Sequence, residues 1–100
     1  MHITLVQFDI RWEDPHANFD AVRALFAARS QAAAAAHRPA DELIVLPEMF
    51  ANGFSLHAEK IRESFGGPSE TFLADLAETE QAVVAGGWVL DNPGARPLNV

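Results

Sequence analysis

A run of four aliphatic residues, 43–46 (LIVL), is the feature that most constrains how this chain can fold. The run is too short for a helix, is bounded by Pro47 and lacks polar alternation, so it indicates a strand covered on both faces. Residues 3–9 (ITLVQFD) have the same character. Residues 82–90 (AVVAGGWVL) form a third run, interrupted by Gly86-Gly87. We therefore predict three buried strands.

A helix is predicted between the first two strands. Asp14-Pro15 forms an N-cap and first-turn pair, and the helix is expected to run to about residue 37. Its alanine-rich part, residues 32–36, is interpreted as a small-residue helix face because alanine is the best helix former. Arg38-Pro39 ends the helix. The apolar residues at helical spacing are Phe19, Val22, Leu25, Phe26 and Ala33.

Two more helices are predicted between the second and third strands. A weaker one covers residues 57–65, after the turn signal Asn52-Gly53. The segment Gly66-Gly67-Pro68-Ser69 then breaks the chain and opens the other helix. The apolar face of that helix consists of Phe72, Leu73, Leu76 and Ala77.

The resulting order, β-α-β-α-β, predicts an α/β fold. Strands joined by helical crossovers should pair in parallel with right-handed connections, and the helices should pack on the sheet. Residues 96–100 (RPLNV) begin a new apolar segment and stop without a turn or a cap. We therefore expect residues 1–100 to be the amino-terminal part of a single, longer domain.

The composition argues against several classes of partner. The net charge is −7 and the basic residues are scattered, which argues against binding to a nucleic-acid backbone. No apolar run approaches the roughly 18 residues of a membrane span. The amino terminus has no basic leader or cleavage site, so we expect a cytoplasmic protein with no membrane partner. Because the chain contains no cysteine, disulfides, thiolate metal sites and a cysteine nucleophile are excluded within it.

Glu48 is the main candidate for chemistry. In open α/β sheets functional groups gather beyond the carboxyl ends of the strands, and Glu48 follows the second strand directly after Pro47. A carboxylate there would be partly desolvated, with Phe50 and Phe54 excluding water, and it would be suited to act as a general base. Spacing alone equally allows a glutamate that caps a helix or lies in solvent.

Other polar residues are weaker candidates. Asp9, at the end of the first strand, is either a second acid or the start of a turn. Lys60 is interpreted as part of a solvated helix face. Gly86-Gly87 has room for a ligand close to the backbone, but no phosphate-loop pattern surrounds it. The histidines show no metal-ligand spacing and are expected at the surface. They are His2, His16, His37 and His57.

Four segments carry a resemblance to a known family. They are ITLVQFDIRWEDPHANFD (residues 3–20), DELIVLPEMFANGFS (41–55), AVVAGGWVL (82–90) and PLNV (97–100). In this order they resemble the amino-terminal part of the carbon–nitrogen hydrolases, the nitrilase superfamily. The LPEMF-x-x-GFS string is the most specific part and looks closest to the omega-amidase branch, which hydrolyses the terminal amide of 2-oxo dicarboxylic acid monoamides.

The resemblance implies a four-layer α-β-β-α sandwich and a Glu-Lys-Cys triad, with Glu48 as the general base. Glu48 would take the proton from the cysteine thiol for attack on the amide carbon, and later activate the water that cleaves the thioester. The lysine would stabilise the tetrahedral oxyanion. Phe54, in the same string, is the residue predicted to bind the small-molecule amide. No metal or cofactor is implied.

The other two members of that triad are not expected in these residues. The family lysine follows a further strand, Lys60 does not match its context, and the cysteine lies farther on. We predict that this chain alone lacks hydrolase activity. Loss of the later strands should leave a sheet face and edges uncovered, with poor stability or association. The family commonly dimerises, so a homodimer is expected for the full-length protein.

Two other classes remain open from the sequence. The metal-dependent endonuclease/exonuclease/phosphatase fold also ends its second strand in a glutamate, which holds Mg²⁺. Its pattern has Gln-Glu where this chain has Pro47-Glu48, and asparagine where this chain has Asp9. A receiver-like α/β interaction module would use Asp9 as an acceptor, but the adjacent acids of such receivers are missing here.

Overall fold

A three-stranded parallel sheet is the centre of the fold. The computed structural model describes residues 1–32 and 40–100. The strands are β1 (His2–Leu5), β2 (Glu42–Val45) and β3 (Val83–Ala85), hydrogen-bonded in the order β1-β2-β3. Both pairs are parallel, so the α/β fold and the parallel pairing predicted from the sequence are confirmed.

Three helices lie between the strands: α1 (Pro15–Ala32), α2 (Ala58–Ile61) and α3 (Pro68–Glu80). The predicted N-cap of α1 is confirmed, because the amide of Ala17 donates to Asp14 Oδ1 at 3.2 Å. The continuation of α1 to residue 37, its end at Arg38-Pro39 and the placement of His37 all lie outside the described residues.

The helix predicted over residues 57–65 is only one turn long. After α2 the backbone becomes extended at Arg62. Glu63 then donates its amide to the carbonyl of Val89 at 2.9 Å and accepts from the amide of Asp91 at 2.7 Å. These long-range hydrogen bonds compete with continuation of the helix, which explains its early end.

The third predicted strand is in fact two strands in two different sheets. The chain leaves the parallel sheet after β3, passes through Gly86-Gly87 and forms β4 (Val89–Leu90). That strand pairs in antiparallel fashion with β5 (Leu98–Asn99), in a separate two-stranded sheet. The prediction of a single strand over residues 82–90 is therefore wrong, because the glycine pair lets the backbone pass from one sheet to the other.

The core lies between one face of the parallel sheet and helices α1 and α3. Phe19 of α1 and Phe72 of α3 stack with ring centroids 4.6 Å apart, and Phe50 joins them at 6.1 and 5.8 Å. Such aromatic contacts stabilise a core beyond the area that they bury. Leu25, predicted on the buried face of α1, is exposed, because the stripe of α1 that meets the core follows residues 18, 22 and 26.

An ion-pair network joins the helices to the sheet. Arg29 of α1 donates to Glu42 of β2 at 2.6 Å and to Glu80 of α3 at 2.8 Å. The hydrogen bond from Arg29 lowers the pKa of Glu42 below its ordinary value, against the opposing effect of burial. The network fixes the orientation of both long helices relative to the strands.

The other face of the sheet is uncovered by the described residues. Ile3, Leu5 and Val83 are 58%, 76% and 65% exposed. Because side chains alternate along a strand, these residues point away from the helices. The expectation that the strands are covered on both faces is wrong for this chain, whereas the predicted uncovered sheet face is present.

Candidate active site

Glu48 lies at the carboxyl edge of the parallel sheet, at the start of a turn that follows β2. The parallel ladder continues past β2 to Leu46, whose amide donates to the carbonyl of Ala85 at 2.9 Å. Leu46, Met49 and Phe50 are all buried, whereas Glu48 between them is exposed. The buried neighbours on both sides fix the backbone, and the carboxylate of Glu48 points outward. This placement agrees with the predicted position of Glu48 at a strand end.

The predicted hydrophobic surroundings of Glu48 are not provided by the described residues. Phe50 turns inward and is fully buried in the core, and Phe54 is 67% exposed. The expectation of a partly desolvated carboxylate shielded by these two rings is therefore wrong here, because the tight turn sends successive side chains in different directions. The assignment of Phe54 to substrate binding stays a prediction.

The turn after Glu48 has an unusual backbone that its contacts stabilise. Met49 has a φ of +56°, a left-handed conformation that is uncommon outside glycine. The carbonyl of Met49 accepts from the amides of Asn52 at 3.3 Å and Gly53 at 2.8 Å. The side chain of Met49 packs in a small buried cluster with Ile61 and Val89. The conformation next to Glu48 is thus determined by both hydrogen bonds and packing.

Asn18 of α1 connects the Glu48 turn to the rest of the fold. Its side chain is 1% exposed, and its Nδ2 donates to the carbonyls of Arg11 at 2.8 Å and Ala51 at 2.7 Å. Its Oδ1 accepts from the amide of Arg11 at 2.7 Å. Both amide protons are therefore used to fix backbone on either side of the site. Sequence reasoning missed Asn18, whose one signal is a polar residue on the buried stripe of a helix.

Glu13 holds the loop after β1 against the segment that follows the Glu48 turn. Its side chain is 8% exposed and contacts Lys60 Nζ at 2.5 Å, His57 Nδ1 at 2.9 Å and Ser55 Oγ at 3.2 Å. The hydrogen bond from Lys60, and next that from His57, lowers the pKa of Glu13 to about 2, against the smaller opposing effect of desolvation. Lys60 and His57 are exposed, as predicted. The sequence analysis did not predict that both of them contact Glu13.

Asn99 of β5 is the residue that the structure brings to Glu48. Its Nδ2 donates to Glu48 Oε1 at 3.1 Å, across 51 positions of sequence. Sequence reasoning missed this contact, because it depends on the pairing of β5 with β4.

The remaining predicted residues do not join this group. The last ladder bond of β1 runs from the amide of Val6 to the carbonyl of Val45 at 2.9 Å, so Asp9 lies beyond the strand end and is exposed. His2 and His16 are exposed, as predicted. Within residues 1–32 and 40–100, no group of three or more His, Cys, Asp or Glu residues is arranged to hold a metal ion. No helix of the described part of the chain is long and apolar enough to cross a membrane.

The described residues thus form an α/β chain with an exposed glutamate at the carboxyl edge of a parallel sheet. Comparison with known proteins assigns this chain to a family. The family described as carbon-nitrogen hydrolase matches residues 2–99. The chain therefore belongs to the carbon–nitrogen hydrolase family, within the nitrilase superfamily. This membership sets aside the metal-dependent nuclease and the receiver-like module.

A solved structure supports the same fold. XC1258 from Xanthomonas campestris, described as a CN-hydrolase superfamily protein with an arsenic adduct in the active site, is 31% identical with a TM-score of 0.76. The match covers 96% of this chain and 34% of that one, so this chain spans about a third of the length of its relative. No curated protein matches the chain.

Proposed function

We propose that this chain supplies the general base of an omega-amidase-like enzyme, which hydrolyses the terminal carboxamide of a 2-oxo dicarboxylic acid monoamide to the acid and ammonia. The observation that carries the proposal is the exposed Glu48 among buried neighbours, in a chain of the carbon–nitrogen hydrolase family. A carboxylate on a fixed backbone, open on one side, is suited to exchange protons with groups outside this part of the fold.

In the proposed mechanism Glu48 takes the proton of a cysteine thiol, and the thiolate attacks the amide carbon. A lysine ammonium stabilises the oxyanion of the tetrahedral intermediate. Glu48 returns the proton to the nitrogen as ammonia leaves and a thioester forms. Glu48 then takes a proton from water, whose oxygen attacks the thioester, and returns that proton to the departing sulfur as the acid and the thiol are released.

The lysine and the cysteine of this mechanism come from outside residues 1–100. The chain has no cysteine, and its one lysine, Lys60, is paired with Glu13. We therefore propose that residues 1–100 are the amino-terminal part of a longer, cytoplasmic and homodimeric enzyme and have no activity alone. Phe54, exposed after the Glu48 turn, would contact the carbon chain of the substrate.

The test is ammonia release by the full-length gene product from the monoamide of 2-oxopentanedioic acid, compared with glutamine, which has an amino group in place of the 2-oxo group. Glu48→Gln should lower turnover by about 10²-fold or more, because glutamine keeps the shape but accepts no proton. Glu59→Gln removes an exposed carboxylate from α2 and should leave turnover unchanged. Wild-type turnover by Glu48→Gln would contradict the proposal.

A further inference from the structure

The carboxylate of Glu48 is exposed, yet one of its oxygens has a defined partner. Asn99 Nδ2 donates to Oε1 at 3.1 Å. A glutamate side chain in solvent samples several rotamers, and a general base that does so is rarely oriented toward its proton. A donor on one oxygen selects an orientation and leaves Oε2 as the atom that can accept a proton.

The position of Asn99 is built into the fold and does not depend on this one hydrogen bond. Asn99 is opposite Val89 in the antiparallel pair of β5 and β4. Trp88 and Val100 exchange both backbone hydrogen bonds, at 3.0 and 2.9 Å. A Cβ at Gly87 would lie 2.8 Å from the carbonyl oxygen of Val100, so glycine permits this close approach of the two chain segments.

The same packing holds both partners. Val89 of β4 is buried against Met49, the residue that follows Glu48 in the turn. The turn that carries Glu48 and β4, the strand that pairs with the Asn99 strand, therefore meet in one buried cluster. Relative movement of the two backbone segments would require that cluster to open.

We propose that Asn99 is a positioning residue for the general base, which orients the carboxylate of Glu48. An amide N–H that donates to one carboxylate oxygen fixes the direction in which the other oxygen points. This inference rests on the proposed function, since it gives Asn99 a role in the step that Glu48 performs.

The test compares Asn99→Asp and Asn99→Leu in the full-length enzyme. Asn99→Leu keeps the approximate size of the side chain but loses the donor, whereas Asn99→Asp also places a second carboxylate beside that of Glu48. Both variants should lower kcat by about 10- to 100-fold with KM nearly unchanged, because the base is misoriented.

The control is Asn92→Asp, which makes the same chemical change as Asn99→Asp in the loop between β4 and β5 and should leave both kcat and KM unchanged. A wild-type kcat for Asn99→Leu would overturn the proposal. If Glu48→Gln is active, the proposed function fails and kinetics no longer report on Asn99.

A second measurement does not depend on catalysis or on the folding of the Asn99 variants. The side-chain amide resonance of Asn99, followed by ¹⁵N NMR, should shift with pH as Glu48 ionises. The shift should disappear in Glu48→Gln. An Asn99 amide resonance that responds identically in wild type and Glu48→Gln would overturn the proposed contact.

Discussion

At the scale of single residues, the site depends on backbone that is uncommon for its side chains. Met49 and Glu13 both have positive φ values, of 56° and 49°, although neither is glycine. Such conformations cost energy and persist only where surrounding contacts determine them. Packing supplies those contacts at Met49, and three polar side chains supply them at Glu13. The unusual backbone on both sides of the site is thus stabilised by different kinds of interaction.

Asn18→Asp should destabilise the protein by about 3 kcal/mol. Aspartate has the same shape but no N–H group, so the carbonyls of Arg11 and Ala51 lose their buried donor and face a carboxylate oxygen instead. Each buried polar group left without a partner costs about 1–3 kcal/mol. The measurement is the urea unfolding midpoint of the full-length protein, with Asn92→Asp as the control. Equal midpoints for the two variants would show that Asn18 has no special role.

Glu13→Gln should remove part of the acid sensitivity of the fold. The pKa of Glu13 is lowered from 4.5 to about 2, so the unfolded chain binds this proton more readily than the folded one. Stability from Glu13 is therefore fully present above pH 4.5 and is lost as the pH falls toward about 2.

The measurement for Glu13 is the unfolding midpoint of wild type and Glu13→Gln across that pH window. The advantage of wild type should shrink as the pH falls, and Glu59→Gln serves as the comparison for loss of an exposed glutamate. A constant difference between wild type and Glu13→Gln across the window would mean that Glu13 is not held in its ionised form.

At the scale of helices and strands, hydrophobic spacing was enough to predict the elements of the parallel sheet and the position of Glu48. Such spacing is a local property of the chain. The division of residues 82–90 into β3 and β4 was not predicted. The sheet that β4 joins depends on its pairing with β5, which the hydrophobic spacing of residues 82–90 does not specify. The contacts of Asn18 and Asn99 span 33 and 51 positions, and no local signal specifies which distant group each one meets.

The two glycines between β3 and β4 should respond differently to alanine. A Cβ at Gly86 would lie 3.0 Å from Phe50 Cε1 and 3.1 Å from Leu73 Cδ2, in the core. Gly86→Ala should therefore lower global stability by about 1–3 kcal/mol, as overpacking does. A Cβ at Gly87 meets the backbone of Val100, so Gly87→Ala should instead separate β5 from β4.

Hydrogen exchange combined with urea unfolding distinguishes these two effects. Gly87→Ala should speed exchange of the amides of Trp88 and Val100, which bond to each other across the strand pair. Gly86→Ala should change the unfolding midpoint more than it changes this local exchange. The same response from both variants would show that the glycine pair is one structural unit.

At the scale of the whole molecule, α1 and α3 of the described residues form one helical layer on one face of the parallel sheet. The chain measures 51 × 23 × 17 Å, and its short dimension has room for only these two layers, since a helix alone is about 10 Å across. The sheet face opposite the helices carries exposed Ile3, Leu5 and Val83. A contiguous apolar face of this kind marks a surface that another part of a protein covers.

Residues 1–100 made as a separate polypeptide should therefore associate in a concentration-dependent way. The paired substitutions Leu5→Thr and Val83→Thr keep strand-forming side chains but add a hydroxyl to this face, so they should shift the polypeptide toward monomer in sedimentation velocity. Leu56→Thr is the matched control, because Leu56 is 95% exposed in the segment before α2 and belongs to no strand of the sheet. If the wild-type polypeptide is monomeric and unfolds cooperatively, the exposed face is stable in water and needs no covering layer. If it associates and only the sheet variants reverse this, the uncovered face drives association, as expected of a surface that the rest of a longer domain would bury.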